Sequence, residues 1–359
     1  MLVRNHLLGI TPYEAGKPIE EVKRQLKLKK IIKLASNENP LGVSPLALKA
    51  IKGALSKINR YPDSQNFYLK RALAKHFRLS AENFILGNGS DEIIDIIIKT
   101  FVEEKEEILT AEITFLEYRI IAQILKRRVI SVPLKDFKYD LTAMKKKISK
   151  KTKLVFIANP NNPTGTYINA SELKEFFKDL PSSVILVLDE AYDNFIDAED
   201  FGWGLPYLKK KKNLIILKTF SKAYGLAGLR LGFAMAKKEF VSFMERVRQP
   251  FNVNSLAQVA GISALKDKDF LLKTRQVILE GKKYLYRELD KLGLKYIPSQ
   301  ANFILIDIKR DSKKFFKEML KEGIIIRDMK QYGLNNFVRV TIGTERENHN
   351  FIRALKKLI

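Results

Sequence analysis

A chain of 359 residues with 46% hydrophobic side chains can build a sizeable core and suggests about two domains. It has no cysteine, which excludes disulfide and thiolate chemistry and fits a reducing or a hot cytoplasm. The net charge of +25 raises nucleic-acid binding as a rival function, but the lysines fall in short dispersed clusters at 27–30, 145–147 and 209–212, without interleaved aromatics, as solvated faces do.

The first residues, "MLVRNHLLGITPYEAGK", are too interrupted to be a signal peptide. No apolar run approaches the roughly 20 residues that cross a bilayer, so a cytoplasmic protein is expected. Residues 1–40 hold too little apolar material for a core of their own. Beyond them, apolar runs alternate with amphipathic stretches, the pattern of a parallel sheet covered by helices. "NFILG" (83–87) reads as a strand leading into the helix "SDEIIDIIIKTFV". "EEILTAE" (106–112) and "KLVFIANP" (153–160) are strands followed by the helices "EYRIIAQILKR" and "NASELKEFFKDL". "SVILVLDEAY" (183–192), "NLIILKTF" (213–220) and "LGFAMA" (231–236) are further strands, apolar enough to be buried on both faces. After about Pro250 the pattern changes to one long helical stretch starting at Ser255, then strands in "KYIPSQANFILIDI" and "NNFVRVTIG" with helices between and after. The expected division is an N-terminal segment 1–40 packing with the smaller domain, a large domain 41–250 and a small α+β domain 251–359.

In open α/β sheets, ligands collect beyond the carboxyl ends of the strands. The first strand runs into "GNGSDE", whose glycines permit a tight turn and whose Ser90 and Asp91 open a helix with free N–H groups, a place for phosphate. A dinucleotide fingerprint would want a third glycine where Glu92 stands, so this motif alone is also an ordinary strand–turn–helix joint. "NPNNPTG" projects Asn162. Asp189 ends an apolar strand, where a carboxylate is costly unless it meets a cation or donors, and Tyr192 follows it. "TFSKAYGLAGLR" carries Ser221, Lys222 and Arg230 among small residues. Taken singly, each has a bland reading as a cap, a turn or a solvated side chain. Together they match pyridoxal phosphate, which asks for a lysine at its aldehyde, a carboxylate at its ring nitrogen, donors at its ring oxygen, and hydroxyls, an arginine and a helix start at its phosphate. Arg230 is expected to help depress the pKa of Lys222. The three histidines, His6, His76 and His349, are far apart and no metal site is expected.

From "TPYEAGKPIEEV" and "LASNENPLG" through "RYPD", "GNGSDE", "NPNNPTG", "LDEAY" and "TFSKAYGLAGLRLG" to "GIIIRDMKQYGLNNFVRVTIGT", the chain resembles the fold-type I pyridoxal-phosphate aminotransferases, and within them the histidinol-phosphate aminotransferases. The resemblance implies an α/β fold like that of aspartate aminotransferase, with a mostly parallel seven-stranded sheet and a smaller α+β domain. It implies that Lys222 bonds the cofactor aldehyde and then carries the proton. Asp189 holds the ring nitrogen, Asn162 and Tyr192 the ring oxygen, and Phe115 stacks on the ring. Ser90, Asp91, Ser221 and Arg230 hold the phosphate, and Tyr61 reaches the cofactor of a neighbouring subunit, which implies a homodimer. Tyr13, Asn37, Arg327 and Arg339 line the substrate pocket, with Arg339 as the anion anchor. Ile113 stands where members often carry proline. The implied reaction is reversible amino transfer between histidinol phosphate and 2-oxoglutarate; an aromatic or broad-specificity aminotransferase and a phosphothreonine decarboxylase are the alternatives on the same scaffold.

Overall fold

A computed structural model describes residues 2–14, 16–28, 30–210 and 213–359; Met1, Ala15, Lys29 of the first lysine cluster and Lys211 and Lys212 of the third lie outside the described residues. The strands in chain order are β1 (Ile32–Lys33), β2 (Phe84–Asn88), β3 (Glu107–Ala111), β4 (Arg128–Val132), β5 (Thr152–Ala158), β6 (Ile185–Asp189), β7 (Leu214–Thr219) and β8 (Leu231–Ala236). They continue with β9 (Tyr296–Ile297), β10 (Phe303–Asp307), β11 (Ile324–Ile325), β12 (Arg327–Asp328) and β13 (Phe337–Thr341).

Seven strands form one sheet in the order β2-β8-β7-β6-β5-β3-β4. β3 to β7 pair in parallel, and β8 runs antiparallel to both β7 and β2. Successive side chains point to opposite faces, and both faces are buried. Leu86, Leu109, Ile157, Leu186 and Ile216 enter one core, while Ile85, Ile108, Phe156, Val187 and Ile215 enter the other. Each such side chain contributes roughly 1.5–3 kcal/mol on burial. Two-sided burial is why the central strands read as unbroken apolar runs. β4 differs: it is an edge strand in which only Val132 is buried. That exposure explains why "RVISV" carries no such run and is the strand that the apolar pattern misses.

The expected single helical stretch after Ser255 is two helices, Ser255–Ala264 and Lys268–Lys291. Asp267 separates them: it caps the second through Phe270 N–H (3.3 Å) and accepts from Ser44 Oγ (2.5 Å). The first packs Ala257, Ala260 and Ala264 into the core of the large sheet, beside Ala47 of the helix Pro45–Ala54. Small residues permit that close approach; a Cβ at Gly261 would meet Leu231 Cδ2 at 2.6 Å. The other sheet is antiparallel, ordered β12-β13-β10-β9, and β1 adds a short parallel pair with β11. Among the described residues no helix is long and apolar enough to cross a membrane.

One topological detail positions the site. Because β8 is reversed, the residue just before it lies at the edge where β5, β6 and β7 end.

Candidate active site

A cavity of about 300 Å³ lies at that edge, closed on the far side by residues from β12, β13 and the N-terminal stretch. Asp189, Tyr192, Ser221 and Lys222 reach it from the ends of β6 and β7, and Arg230 from the start of β8. Ser90, Asp91 and Phe115 border it from the two preceding strand–helix joints, with Asn162 from the turn after β5. Tyr13, Asn37, Arg327 and Arg339 complete the wall. Tyr61 is not among these residues: it is 83% exposed and stacks on Phe251 at 4.7 Å, over a separate surface cleft.

Lys222 is the nucleophile candidate. Its Nζ donates to the Ser36 carbonyl at 3.2 Å. Burial, then the charge of Arg339, bring its pKa down to about 8. Arg339, not Arg230 as expected from sequence, is the cation that acts most on Lys222; the Arg230 guanidinium is paired with Asp91 at 3.0 Å. Asp189 is buried without a cation among the described residues. Tyr118 O–H donates to its Oδ2 at 2.6 Å and Ala191 N–H to its Oδ1 at 3.1 Å. Burial raises its pKa to about 6, against these two bonds. A carboxylate left in this state favours a positively charged partner from the cavity.

The turn at Gly89 makes the third element. Gly89 has φ 85° and caps the helix Ser90–Phe101 without a side-chain acceptor, so the first N–H groups of that helix remain open. A Cβ at Gly89 would collide with the Arg230 guanidinium, and one at Gly232 would meet Ser90 N at 2.6 Å. Glycine is required here for close approach. Arg230 Nη1 also approaches Ser221 Oγ at 3.5 Å, and Thr219 Oγ1 fixes the Ser221 N–H at 3.0 Å. The result is a cradle of N–H, hydroxyl and guanidinium groups suited to a phosphate.

The remaining wall is cationic and polar. Arg327 and Arg339 face each other across β12 and β13 and are both buried. Neither pairs with a carboxylate among the described residues. Arg339 donates to Asn162 Oδ1 (2.5 Å) and the Ala35 carbonyl (2.8 Å), and its Nε finds no partner among the described residues. Tyr192 O–H accepts from Asn37 Nδ2 at 3.0 Å, while Asn37 is held by Thr341. At the departure from the family pattern, Asn161 secures the loop, donating to the Ile113 carbonyl (3.1 Å) and accepting from Thr114 Oγ1 (2.8 Å).

Sequence reasoning missed Tyr118, Thr219 and the Ser36 carbonyl. Tyr118 follows Phe115 by three positions and packs edge-on against it at 5.6 Å. That spacing was the available signal.

An amine with a depressed pKa, a buried carboxylate without a cation, a phosphate cradle and two buried arginines without carboxylate partners, all among the described residues, define a site for transfer chemistry on anionic substrates. Residues 29–355 match the family model of class I and II aminotransferases, and the chain belongs to that family. Within it the chain groups with the histidinol-phosphate aminotransferases. It is 50% identical to that enzyme of Moorella thermoacetica over 99% of this chain and 92% of the relative. It is 44% identical to that of Anaeromyxobacter sp. over 100% and 99%. Among solved structures, histidinol-phosphate aminotransferase from Sinorhizobium meliloti, in complex with pyridoxal-5'-phosphate, superposes with a TM-score of 0.91 at 28% identity, covering 99% of this chain and 97% of that one. Thermus thermophilus aspartate aminotransferase, at 19% identity and a TM-score of 0.86, shares the fold.

Proposed function

We propose that this chain is a pyridoxal-phosphate-dependent aminotransferase that moves an amino group reversibly between histidinol phosphate and 2-oxoglutarate. The observation that carries the substrate class is the pair Arg327 and Arg339. Two buried guanidinium groups without carboxylate partners are costly unless an anion completes them. The residues also fit the cofactor: the glycine-lined cradle at Ser90 suits its phosphate, and Asp189 meets no cation among the described residues, which a protonated ring nitrogen would supply.

When bound, pyridoxal phosphate supplies the aldehyde that takes up the amino group and the ring that accepts the electron pair left by the departing proton. Lys222 Nζ, near neutrality at about pH 8, is the nucleophile and afterwards the base that holds the substrate proton. Asp189, its carboxylate fixed by Tyr118, would keep the ring nitrogen protonated. Asn162 and Tyr192 would offer hydrogen bonds to the ring oxygen, and Phe115 would cover the ring. Ser90, Asp91, Ser221 and Arg230 would hold the phosphate. Arg339 takes the anionic group of either substrate in turn, the phosphate of histidinol phosphate or a carboxylate of the 2-oxo acid, while Tyr13 and Arg327 add contacts to that phosphate, beside Asn37. The protein acts as a cytoplasmic homodimer, with Tyr61, exposed on this chain, contributing to the neighbouring cofactor site.

The test follows each half-reaction separately by single-turnover absorbance. Arg339→Lys keeps the charge but loses the planar fork, and weakens both halves. Arg327→Ala and Tyr13→Phe impair mainly the histidinol phosphate half. Equal losses with both substrates, or a large wild-type preference for phenylalanine, would move the assignment to a broad-specificity aminotransferase, which a wall of Tyr13, Arg327 and Arg339 also suits.

A further inference from the structure

Tyr13 forms part of the cavity wall, although residues 11–14 are all exposed. Their polar hold comes from Gln331. This residue sits in the short 3-10 turn Lys330–Tyr332 after β12, between buried Met329 and Tyr332, so its backbone is fixed. Its amide serves three partners at once. Nε2 donates to the Pro12 carbonyl at 2.9 Å, and Oε1 accepts from Glu14 N–H at 3.3 Å and from Arg327 Nη2 at 3.3 Å. The first two bonds bracket Tyr13, whose ring lies 5.5 Å from Arg327 Cζ. One side chain thus sets the backbone of Tyr13 and the guanidinium of Arg327 relative to each other.

We propose that Gln331 is a positioning residue that determines affinity for the phosphate-bearing amino substrate, by clamping residues 12–14 and Arg327 into one geometry. The proposal rests on the reading of Tyr13 and Arg327 as the phosphate end of the pocket. An amide suits the task because it offers a donor and an acceptor without charge. A carboxylate in its place would keep the acceptor, lose the bond to Pro12 and neutralise Arg327.

The experiment uses the cofactor-loaded protein and two variants. In Gln331→Ala, hydrogen exchange of the Glu14 amide accelerates at least about fivefold in the absence of substrate. KM for histidinol phosphate rises about tenfold, the worth of one to two net hydrogen bonds. The kcat value and KM for 2-oxoglutarate stay within about twofold. In Gln331→Glu the Glu14 amide remains protected, but KM for histidinol phosphate rises more than in the alanine variant, because Arg327 is neutralised. Unchanged exchange in Gln331→Ala overturns the clamp. Faster exchange with an unaltered KM overturns its role in affinity. A wild type that prefers phenylalanine overturns the substrate reading itself, and that result is separate because exchange is measured without substrate.

Discussion

Lys218 lies near the end of β7 and Lys222 three residues beyond it, yet they meet opposite surroundings. Lys218 points to the side of Glu190 and Asp193, with Nζ at 2.8 Å and 2.5 Å from their carboxylates. Burial pushes its pKa down, but Asp193 and Glu190 more than reverse this and leave it raised far above the ordinary lysine value. Lys222 points into the cavity, where it finds a carbonyl and, nearby, the positive Arg339. Its pKa falls to about 8. Desolvation acts on both; the sign of the neighbouring charge decides which becomes a permanent cation and which a reactive amine. The contrast also separates their roles. Lys218 ties the segment after β6 to β7 and so fixes the frame from which Asp189 and Tyr192 project, while Lys222 is left free to react.

The largest effect expected from breaking this contrast is in turnover. Lys222→Ala removes the nucleophile and the base together, and such proton transfer alone is worth ~10²–10⁴ in rate. Steady-state assay should show at least that loss, with thermal unfolding close to wild type. A variant retaining about a tenth of the activity would refute the role of Lys222. Next comes Lys218→Met, which should act on stability instead. It leaves buried Glu190 and partly exposed Asp193 without their cation, a cost of up to about 3–5 kcal/mol. Urea unfolding should show the lower midpoint, and adding Glu190→Gln and Asp193→Asn should recover part of it. If Lys218→Met leaves the midpoint unchanged, Lys218, Glu190 and Asp193 do not form the frame of the site. The smallest effect is a pH dependence. The cofactor-free protein should capture pyridoxal phosphate at a rate that levels off above pH 8 and falls about tenfold for each unit below it, as the Lys222 amine protonates. The sign follows from a depressed amine pKa. The same shift makes the cofactor-free protein gain stability as pH rises from about 8 towards the ordinary lysine value of 10.5. A capture rate still rising steeply at pH 10 would mean that the cavity does not depress Lys222.

The sequence disclosed one of these lysines and hid the other. Lys222 stands out because glycine, alanine and serine surround it, and small neighbours are a local signal. Lys218, in "ILKTF", looks like one polar residue in an apolar strand, since its partners come from a different strand end. The same distinction runs through the fold. β7 and β8 are legible because both of their faces are buried, whereas β4, half exposed, is not. The break at Asp267 went unread because "KDKD" is polar on either reading, and only the bond from Ser44 shows why the chain stops there. In the site, Asp189 was legible as a costly carboxylate, but the identity of its donor, Tyr118, needed the fold. The arginine that lowers the Lys222 pKa was misassigned for a related reason. Arg230 is near in sequence but paired with Asp91, and Arg339 is remote in sequence but faces the amine.

The reversal of β8 makes loop length itself a constraint. A parallel successor to β7 would need a crossover of a dozen or more residues, with room for insertions along it. Here residues 220–230 turn straight back, and both ends of that turn carry site groups. One added residue would leave the hairpin register of β7 and β8 intact while pulling Lys222 or Arg230 out of reach. Substitution is a separate matter. Gly228 has open space around a Cβ, whereas at Gly225, with φ 70°, a Cβ would strike the Gly42 carbonyl. The loop therefore has room for a change of residue at Gly228, while a change of length is expected to displace Lys222 or Arg230.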